Sequence, residues 1–381
     1  MLSSSAFALK EYYAIGRSLR AMGMGGAFYG LSDDESALFY NPASLSLYPG
    51  NAQFMVSLGA QVADNAIQAF PEVKSAAEGG TVEEIVSRLE SLQGKPIASA
   101  VNVTTYFLAK GFAFGILAAE PKVTAALLGA GIDSSLDVTA ISDHGAFLAF
   151  AGSLLHPSLH FGVTAKLLAR AGGQKLFSPL DILQTGSLKL EDIGGAGAGA
   201  DFDLGVTYDF GLKRPNKAGA SLVFRDLLAT EFPWGRVNSG APPPLERTLS
   251  LGLYYEWRPN SQTVDYLRLL VDFAEFGLGG NANPELGARR GAFGKHVNVG
   301  VEMPLWGWLF LRSGVHQGNV TGGLGLSFDA LKLDVATYAE ELTAGVGRLS
   351  NRRWAMRLAI GFGAPGATVG SQKPAKGRKS S

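Results

Sequence analysis

Apolar and polar side chains alternate with a period of two along most of the chain, in segments of about ten residues, as strands do when they separate two different environments. In one segment Leu159, Phe161, Val163, Ala165 and Leu167 face one way, and His160, Gly162, Thr164, Lys166 and Arg170 the other. Phe202, Leu204, Val206, Tyr208 and Phe210 oppose Asp201, Asp203, Thr207 and Asp209; Leu249, Leu251, Leu253, Tyr255 and Trp257 oppose Thr248, Ser250, Gly252 and Glu256. Leu267, Leu269, Val271 and Phe273 oppose Arg268 and Asp272, and Val297, Val299, Val301 and Met303 oppose Asn298, Gly300 and Glu302. Trp354, Met356, Leu358, Ile360 and Phe362 oppose Arg353, Arg357 and Gly361. The pattern predicts strands over 51–59, 98–108, 111–119, 133–142, 145–153, 159–170, 200–210, 217–227, 247–257, 265–275, 296–304, 307–316, 319–328, 331–340 and 353–362. That is one more than an even-numbered closed sheet uses, so about fourteen strands are expected, with one early span a bent strand or a misassignment.

A soluble sandwich alternates too, and the pattern alone does not say which solvent lies on each side. Three details favour an antiparallel transmembrane β-barrel. The apolar row is nearly continuous. Aromatics gather near strand ends (Tyr208, Phe210, Tyr255, Trp257, Trp306, Trp308, Trp354, Phe362), as interfacial girdles do. The polar row carries charges and glycines in mid-strand, suiting a crowded, hydrated lumen. Short turns at Ala109-Lys110-Gly111, Ser142-Asp143-His144 and Asp329-Ala330 fit one rim of such a barrel. Arg214–Lys217, Glu231–Glu246 and Gly277–Lys295 read as rim loops.

Residues 81–93 break the rhythm. Thr81 and Glu84 form a capping box, Ile85, Val86, Leu89 and Leu92 make one stripe, and Gly94 stops the helix. This places a helical insertion at about 71–93, between the first two strands; a further short helix or loop is expected within 176–193.

Composition supports the barrel. Of 381 residues 50 are Gly, and charged residues make up only 17%, against about 7% and about 25% in ordinary domains. Hydrophobic residues at 46% and aromatics at 10% exclude a chain that stays unfolded. No run of 18 apolar residues exists, so no spanning helix is expected. Lys plus Arg and Asp plus Glu are 33 each, a balance that does not suggest nucleic acid as a partner. The absence of cysteine removes disulfides, thiolate metal sites and a thiol nucleophile together.

The most informative segment lies ahead of the first strand. Gly23, Gly25 and Gly26 allow close backbone packing, Asp33 and Asp34 can cap a helical turn at Ser36–Tyr40, and Asn41-Pro42 is read as stopping that turn. Arg20, Ala21, Gly23, Gly25, Gly26, Ala27 and Phe28, then Asp33, Asp34, Ala37 and Tyr40-Asn41-Pro42-Ala43, resemble the outer-membrane barrels related to the FadL long-chain fatty-acid transporters, including the PorV/PorQ and TraF-like branches. The motif covers about 30 residues; elsewhere the likeness is one of strand rhythm. The resemblance implies a fourteen-stranded barrel, 49–362, plugged by an N-terminal hatch, 9–48, to which Arg20, Gly23, Gly25, Gly26, Asp33, Asp34, Asn41 and Pro42 belong. On this reading the hatch lies in the lumen, with Asp33 and Asp34 facing Arg225, Arg268 or Arg312. The lumen is lined by Lys166, Arg170, Asp201, Asp203, Arg225, Glu256, Arg268, Asp272, Glu302 and Arg312. Phe362 ends a strand of the kind read by outer-membrane assembly machinery, and 363–381 reads as a disordered tail. Residues 1–8 read as the remnant of a targeting segment, Ala6-Phe7-Ala8 matching a small-x-small cleavage site.

Catalytic motifs are absent: no phosphate-binding loop, His-Glu-x-x-His or Gly-x-Ser-x-Gly occurs. Gly195–Ala200 leads into a strand rather than a helix, so it is not a dinucleotide fingerprint. His144 and His160 could share a face without making a metal site. No enzyme activity and no cofactor are expected. The reading is a channel of the bacterial outer membrane for hydrophobic or small amphipathic substrates, its partners being lipid and a hydrophobic small-molecule ligand. The alternatives are a PorV-like platform holding a secretion partner and a TraF-like envelope protein.

Overall fold

The alternating segments pair edge to edge into one antiparallel sheet that closes on itself. The computed structural model describes residues 11, 13–66, 81, 84, 86, 87, 90–129, 134–178, 180, 181, 193–212, 215–237, 241–278, 292–328, 330–343 and 345–363. Its strands are β1 (Gln53–Ala63), β2 (Ile97–Ala109), β3 (Phe112–Leu128), β4 (Ser135–Ser153), β5 (Leu159–Phe177), β6 (Gly195–Asp209), β7 (Lys217–Arg225), β8 (Trp234–Val237), β9 (Thr248–Trp257), β10 (Leu267–Gly277), β11 (Val297–Leu305), β12 (Leu309–His316), β13 (Asn319–Phe328), β14 (Leu331–Glu341) and β15 (Ser350–Gly363). Fourteen of them make the wall, each bonded to its neighbours in chain order, with β7 pairing β9 across the short β8. β1 and β15 close it, in register from Gln53↔Gly363 to Ala63↔Arg353. Closure leaves the wall without an open edge, which is what allows strands to cross a hydrocarbon layer. None of the described helices is long and apolar enough to cross a membrane.

The outer row is apolar and exposed, Leu251 at 40% and Leu269 at 43%, while Ser250 beside them on the inner row is at 0%. Around one rim Trp306 stacks on Trp308 and Trp308 on Phe328, with Tyr208 beside Phe210 and Phe112 beside Phe150. That is the rim of the short connections, where Gly111 takes a positive φ between β2 and β3.

Three expectations are corrected. Spans 133–142 and 145–153 are one strand, β4, and Ser142-Asp143-His144 is no turn. Its polar run is explained by pairing, because Asp143 faces inward and binds Arg170 at 2.7 Å. The segment 231–246 is not loop throughout: β8 lies within it and pairs with β6 at Ala196 and Ala198, beyond the point where β7 leaves that edge. His144 and His160 do not share a face, since His144 is exposed on the outer row while His160 is buried and bonded to Ser46 Oγ at 2.8 Å.

The capping box at 81–84 is formed, Thr81 and Glu84 exchanging hydrogen bonds of 3.1 and 3.3 Å. Ile85 and Leu89 lie outside the described residues, as do 1–8, most of 179–192 and 364–381. Leu92 packs in a small apolar cluster with Leu136, Val138 and Phe177.

Candidate functional site: a lumen filled by the N-terminal segment

Residues 13–48 run inside the barrel, almost all of them buried. They form three short helical turns, each started by a side-chain cap. Ser18 caps α1 (Leu19–Gly23), and Asp34 caps a 3₁₀ turn, Glu35–Leu38, accepting from Ser36 N at 2.8 Å. Asn41 accepts from Ala43 N at 3.1 Å and starts a second 3₁₀ turn, Pro42–Leu47. Asn41-Pro42 therefore opens a turn rather than stopping one, because proline's fixed φ and missing N–H suit the first helical position.

Several inner-row glycines make room for this segment. A Cβ at Gly252 would meet Gly30 and Tyr29 backbone, one at Gly300 or Gly314 would meet Met24, and one at Gly162 or Gly205 would meet Asn41, Pro42 or Ala43. Gly23 approaches Gly323 with only 3.1 Å between its would-be Cβ and the opposing Cα. Gly25 and Gly26 both take positive φ, and Gly25 N donates to Thr321 Oγ1 at 2.9 Å.

Charge joins the segment to the wall. Arg20 binds Asp33 and Asp34, each at 2.9 Å, and clasps Glu302 with Nη2 at 2.6 Å and Nε at 2.7 Å. Asp33 also receives Arg268, which reaches Glu256 at 2.6 Å. Arg312 bridges Glu302 and Asp334 at 2.9 and 2.6 Å, and Arg357 joins Asp334 to Glu35 at 3.0 and 2.5 Å. Asp272 accepts backbone N–H groups of Phe28, Tyr29 and Gly30 at 2.5, 2.7 and 3.3 Å, a fixed anchor for the chain's tightest passage.

Burial alone would raise the Asp33 carboxyl, but the guanidiniums of Arg20 and Arg268 outweigh it and hold it well below the usual range. Glu35 is brought down to about 2 in the same way, against burial, by Arg357 and Lys332. Asp34 goes the other way: burial and its neighbour Glu35 outweigh Arg20 and push it up.

A second element enters the lumen from the connection between β7 and β9. Lys166 binds Asp203 at 2.6 Å and Asp226 at 2.5 Å, and Asp201 accepts Leu228 N and Thr230 N at 3.0 and 3.1 Å. Phe232 is fully buried over Gly197, with the Arg170 guanidinium 5.1 Å from its ring centre.

All ten wall residues read as lumen lining face inward and are buried, eight of them against charged side chains and Asp201 and Asp272 against backbone N–H groups. Of the arginines expected opposite Asp33 and Asp34, Arg268 meets Asp33. Arg225 binds the Tyr29 hydroxyl at 3.0 Å, and Arg312 stays on the wall. Glu35, Asp334 and Arg357 were not singled out as holding the segment. Asp334 and Arg357 stand in correctly phased strands, and Glu35 follows the Asp-Asp pair, so only the choice among inner-row charges was out of reach.

Between the segment and β1–β3 lies a cavity of about 40 Å³, lined by Arg17, Met22, Gly59, Asn102, Glu120 and Arg353 among others. Its lining includes Ala60 and Val101 of the outer row. Nearby, β3 is bulged, its register shifting against β2 at Val103/Thr104 and against β4 at Leu117/Glu120.

No protein-family model matches the chain, and no curated protein matches it. Among solved structures it is similar to the Pseudomonas putida toluene transporter TodX, at 15% identity and a TM-score of 0.46 over 93% of this chain and 98% of that one. It is similar to the CymD monoaromatic hydrocarbon channel at 10% identity and a TM-score of 0.48, covering 92% and 98%. A Pseudomonas aeruginosa FadL homologue aligns at 10% identity and a TM-score of 0.34, covering 93% and 99%.

Proposed function

We propose that the chain is a bacterial outer-membrane channel, closed at rest by its own N-terminal segment, that passes hydrophobic or small amphipathic molecules. The exposed apolar belt with an aromatic rim supports the membrane setting. One observation carries the channel reading: the lumen is filled by the segment, and between it and the wall only a cavity of about 40 Å³ is left, whose lining reaches the outer row at Ala60 and Val101. Passage then requires the segment to shift, or the wall to part beside the bulge of β3, rather than an open pore. Residues Arg20, Gly23, Gly25, Gly26, Asp33, Asp34, Asn41 and Pro42 act as the plug, and Arg225, Arg268, Asp272 and Glu302 of the inner row hold it.

Because the chain has no cysteine, a tether tests this directly. The side chain of Leu38 lies 3.0 Å from a Cβ built at Gly115, so Leu38→Cys with Gly115→Cys places two thiols within reach of a disulfide or a short bis-maleimide. In proteoliposomes the tethered protein should lose uptake of small amphipathic solutes, and reduction of the disulfide should restore it. Equal uptake with the tether closed and open would overturn movement of the segment as the gate.

A further inference from the structure

We propose that the connection between β14 and β15 is an outer gate: a strap across the barrel mouth opposite the short connections, latched by Lys295, that must lift before a solute reaches the N-terminal segment. This rests on the channel reading and deepens it by naming a second point of control.

The strap is built around one carboxylate. Glu341, fully buried at the end of β14, accepts from Thr343 N and Oγ1, Arg348 N and Leu349 N at 3.2, 2.6, 3.0 and 2.9 Å. Leu342 N donates to Leu349 O at 2.9 Å and closes the base of the loop. Both ends of each bond belong to the strap, so all of them survive when it moves as a unit.

Its reach is set on both flanks. Leu342, 1% exposed, packs on Ala126 of β3, which β15, β1 and β2 separate from β14. On the other flank Val346 lies over Gly318 and Gly294, where an added Cβ would meet its methyl groups at 2.3 and 3.2 Å. Gly318 is in the turn between β12 and β13, and Gly294 precedes β11. The strap thus touches both β3 and the approach to β11, on opposite sides of β14 in the wall.

The latch comes from another element. Lys295, 2% exposed, donates from Nζ to Glu341 O at 2.9 Å and to Thr343 O at 2.7 Å, and Gln317 Oε1 accepts from Glu341 N at 2.8 Å. Hydrogen bonds from a buried ammonium are among the stronger ones, and lifting the strap breaks these two. One residue further into the barrel, Glu340 holds Arg17 of the N-terminal segment and lies 3.4 Å from His316 Nε2. The strap over the mouth and the segment in the lumen are therefore closures in series.

In a chain without cysteine, a lone thiol at Ala126, 4% exposed beneath Leu342, reports when the strap lifts. The long connections of such barrels face outward, so a membrane-impermeant maleimide added to intact cells reaches this mouth. It should label Ala126→Cys slowly, and adding Lys295→Met should raise the rate at least about tenfold, the equivalent of one charge-assisted hydrogen bond, with heat-modifiable migration unchanged. A second measurement leaves the lysine in place. Gly294→Cys with Val346→Cys brings two thiols within reach of a disulfide that ties the strap down. In Asp33→Asn protein, whose segment is freed, that disulfide should abolish uptake of small amphipathic solutes by proteoliposomes, and reduction should restore it. Unchanged labelling in Lys295→Met, or unchanged uptake with the strap tied, would overturn the proposal. Labelling of Ala126→Cys needs no transport, and the Leu38–Gly115 tether reads the segment, so failure of the channel reading is seen separately.

Discussion

Asp33 in the N-terminal segment and Arg268 on β10 form a two-point ion pair inside the barrel, Nη2 to Oδ2 at 2.6 Å and Nη1 to Oδ1 at 3.1 Å. Asp33 also binds Arg20, so its removal leaves two buried guanidiniums short of a partner. Breaking such a pair from one side costs about 3–5 kcal/mol. Asp34 differs, since its carboxyl is pushed up by burial and Glu35, and asparagine can still cap the turn at Ser36. Asp33→Asn should therefore free the segment, and Asp34→Asn should leave it in place or hold it slightly better. Protease sensitivity of residues 13–48 in the folded barrel reads the difference, and equal sensitivity in the two variants would refute the assignment.

The same groups fix a pH response. A carboxyl depressed in the folded state contributes stability that is complete above its unfolded value and is lost as pH falls through its folded one. For Glu35 these values are 4.5 and about 2, and Asp33 has the same sign. Asp34, raised, opposes them and is relieved by acid. The segment should stay seated from pH 7 to 5 and loosen between about 4.5 and 2. A lone cysteine at buried Ser36, with no native thiol to compete, should become accessible only in that acid window to 4,4′-dithiodipyridine, whose own protonation keeps it reactive toward thiols in acid. Reactivity rising between pH 7 and 5 would contradict the assignment.

Strand phase was legible because lipid and lumen impose opposite demands on neighbouring residues: Leu251 and Leu269 outside, Ser250, Arg268 and Glu302 inside were all read from alternation. What fills the lumen was not legible in those strands. Inner-row charges look alike whether they meet water or a plug, and only a long-range contact such as Gly252 against Gly30 distinguishes the two. Asp143 was misread for a related reason: a polar run on one strand resembles a turn until its partner, Arg170 on the next strand, is placed beside it. Asn41-Pro42 was ambiguous locally, since the same dipeptide ends one helix and begins another.

The two faces of β9 should fail in different ways. Leu251→Arg puts a charge into the lipid-facing row, costing about 2–4 kcal/mol near the bilayer midplane, and should impair assembly, seen as loss of heat-modifiable migration. At Gly252 a Cβ would lie 2.6 Å from both Gly30 Cα and Tyr29 C, backbone atoms with no rotamer to yield. Gly252→Ala should therefore assemble normally and conduct more, because the segment gives way rather than the wall. Normal conductance in this variant would place the yielding element in β9.

The connection between β7 and β9 offers a test of how many elements close the barrel. Asp226, Ala229 and Phe232 all have positive φ, at 55°, 49° and 51°, a conformation that costs of order 1–3 kcal/mol at each non-glycine residue. The strain is offset by anchors in the lumen: Lys166 on Asp226, and Asp201 beneath Leu228 N and Thr230 N. Asp201→Ala removes both acceptors at once, orphaning the buried Thr230 N–H at about 1–3 kcal/mol and releasing Leu228 N, so the strained stretch gains by swinging out. The variant should keep its barrel, as judged by migration before and after boiling, and acquire a protease cut between 226 and 237. If this stretch and the N-terminal segment close the lumen jointly, conductance in planar bilayers should rise with the cut. A cut without any change in conductance would assign closure to the N-terminal segment alone.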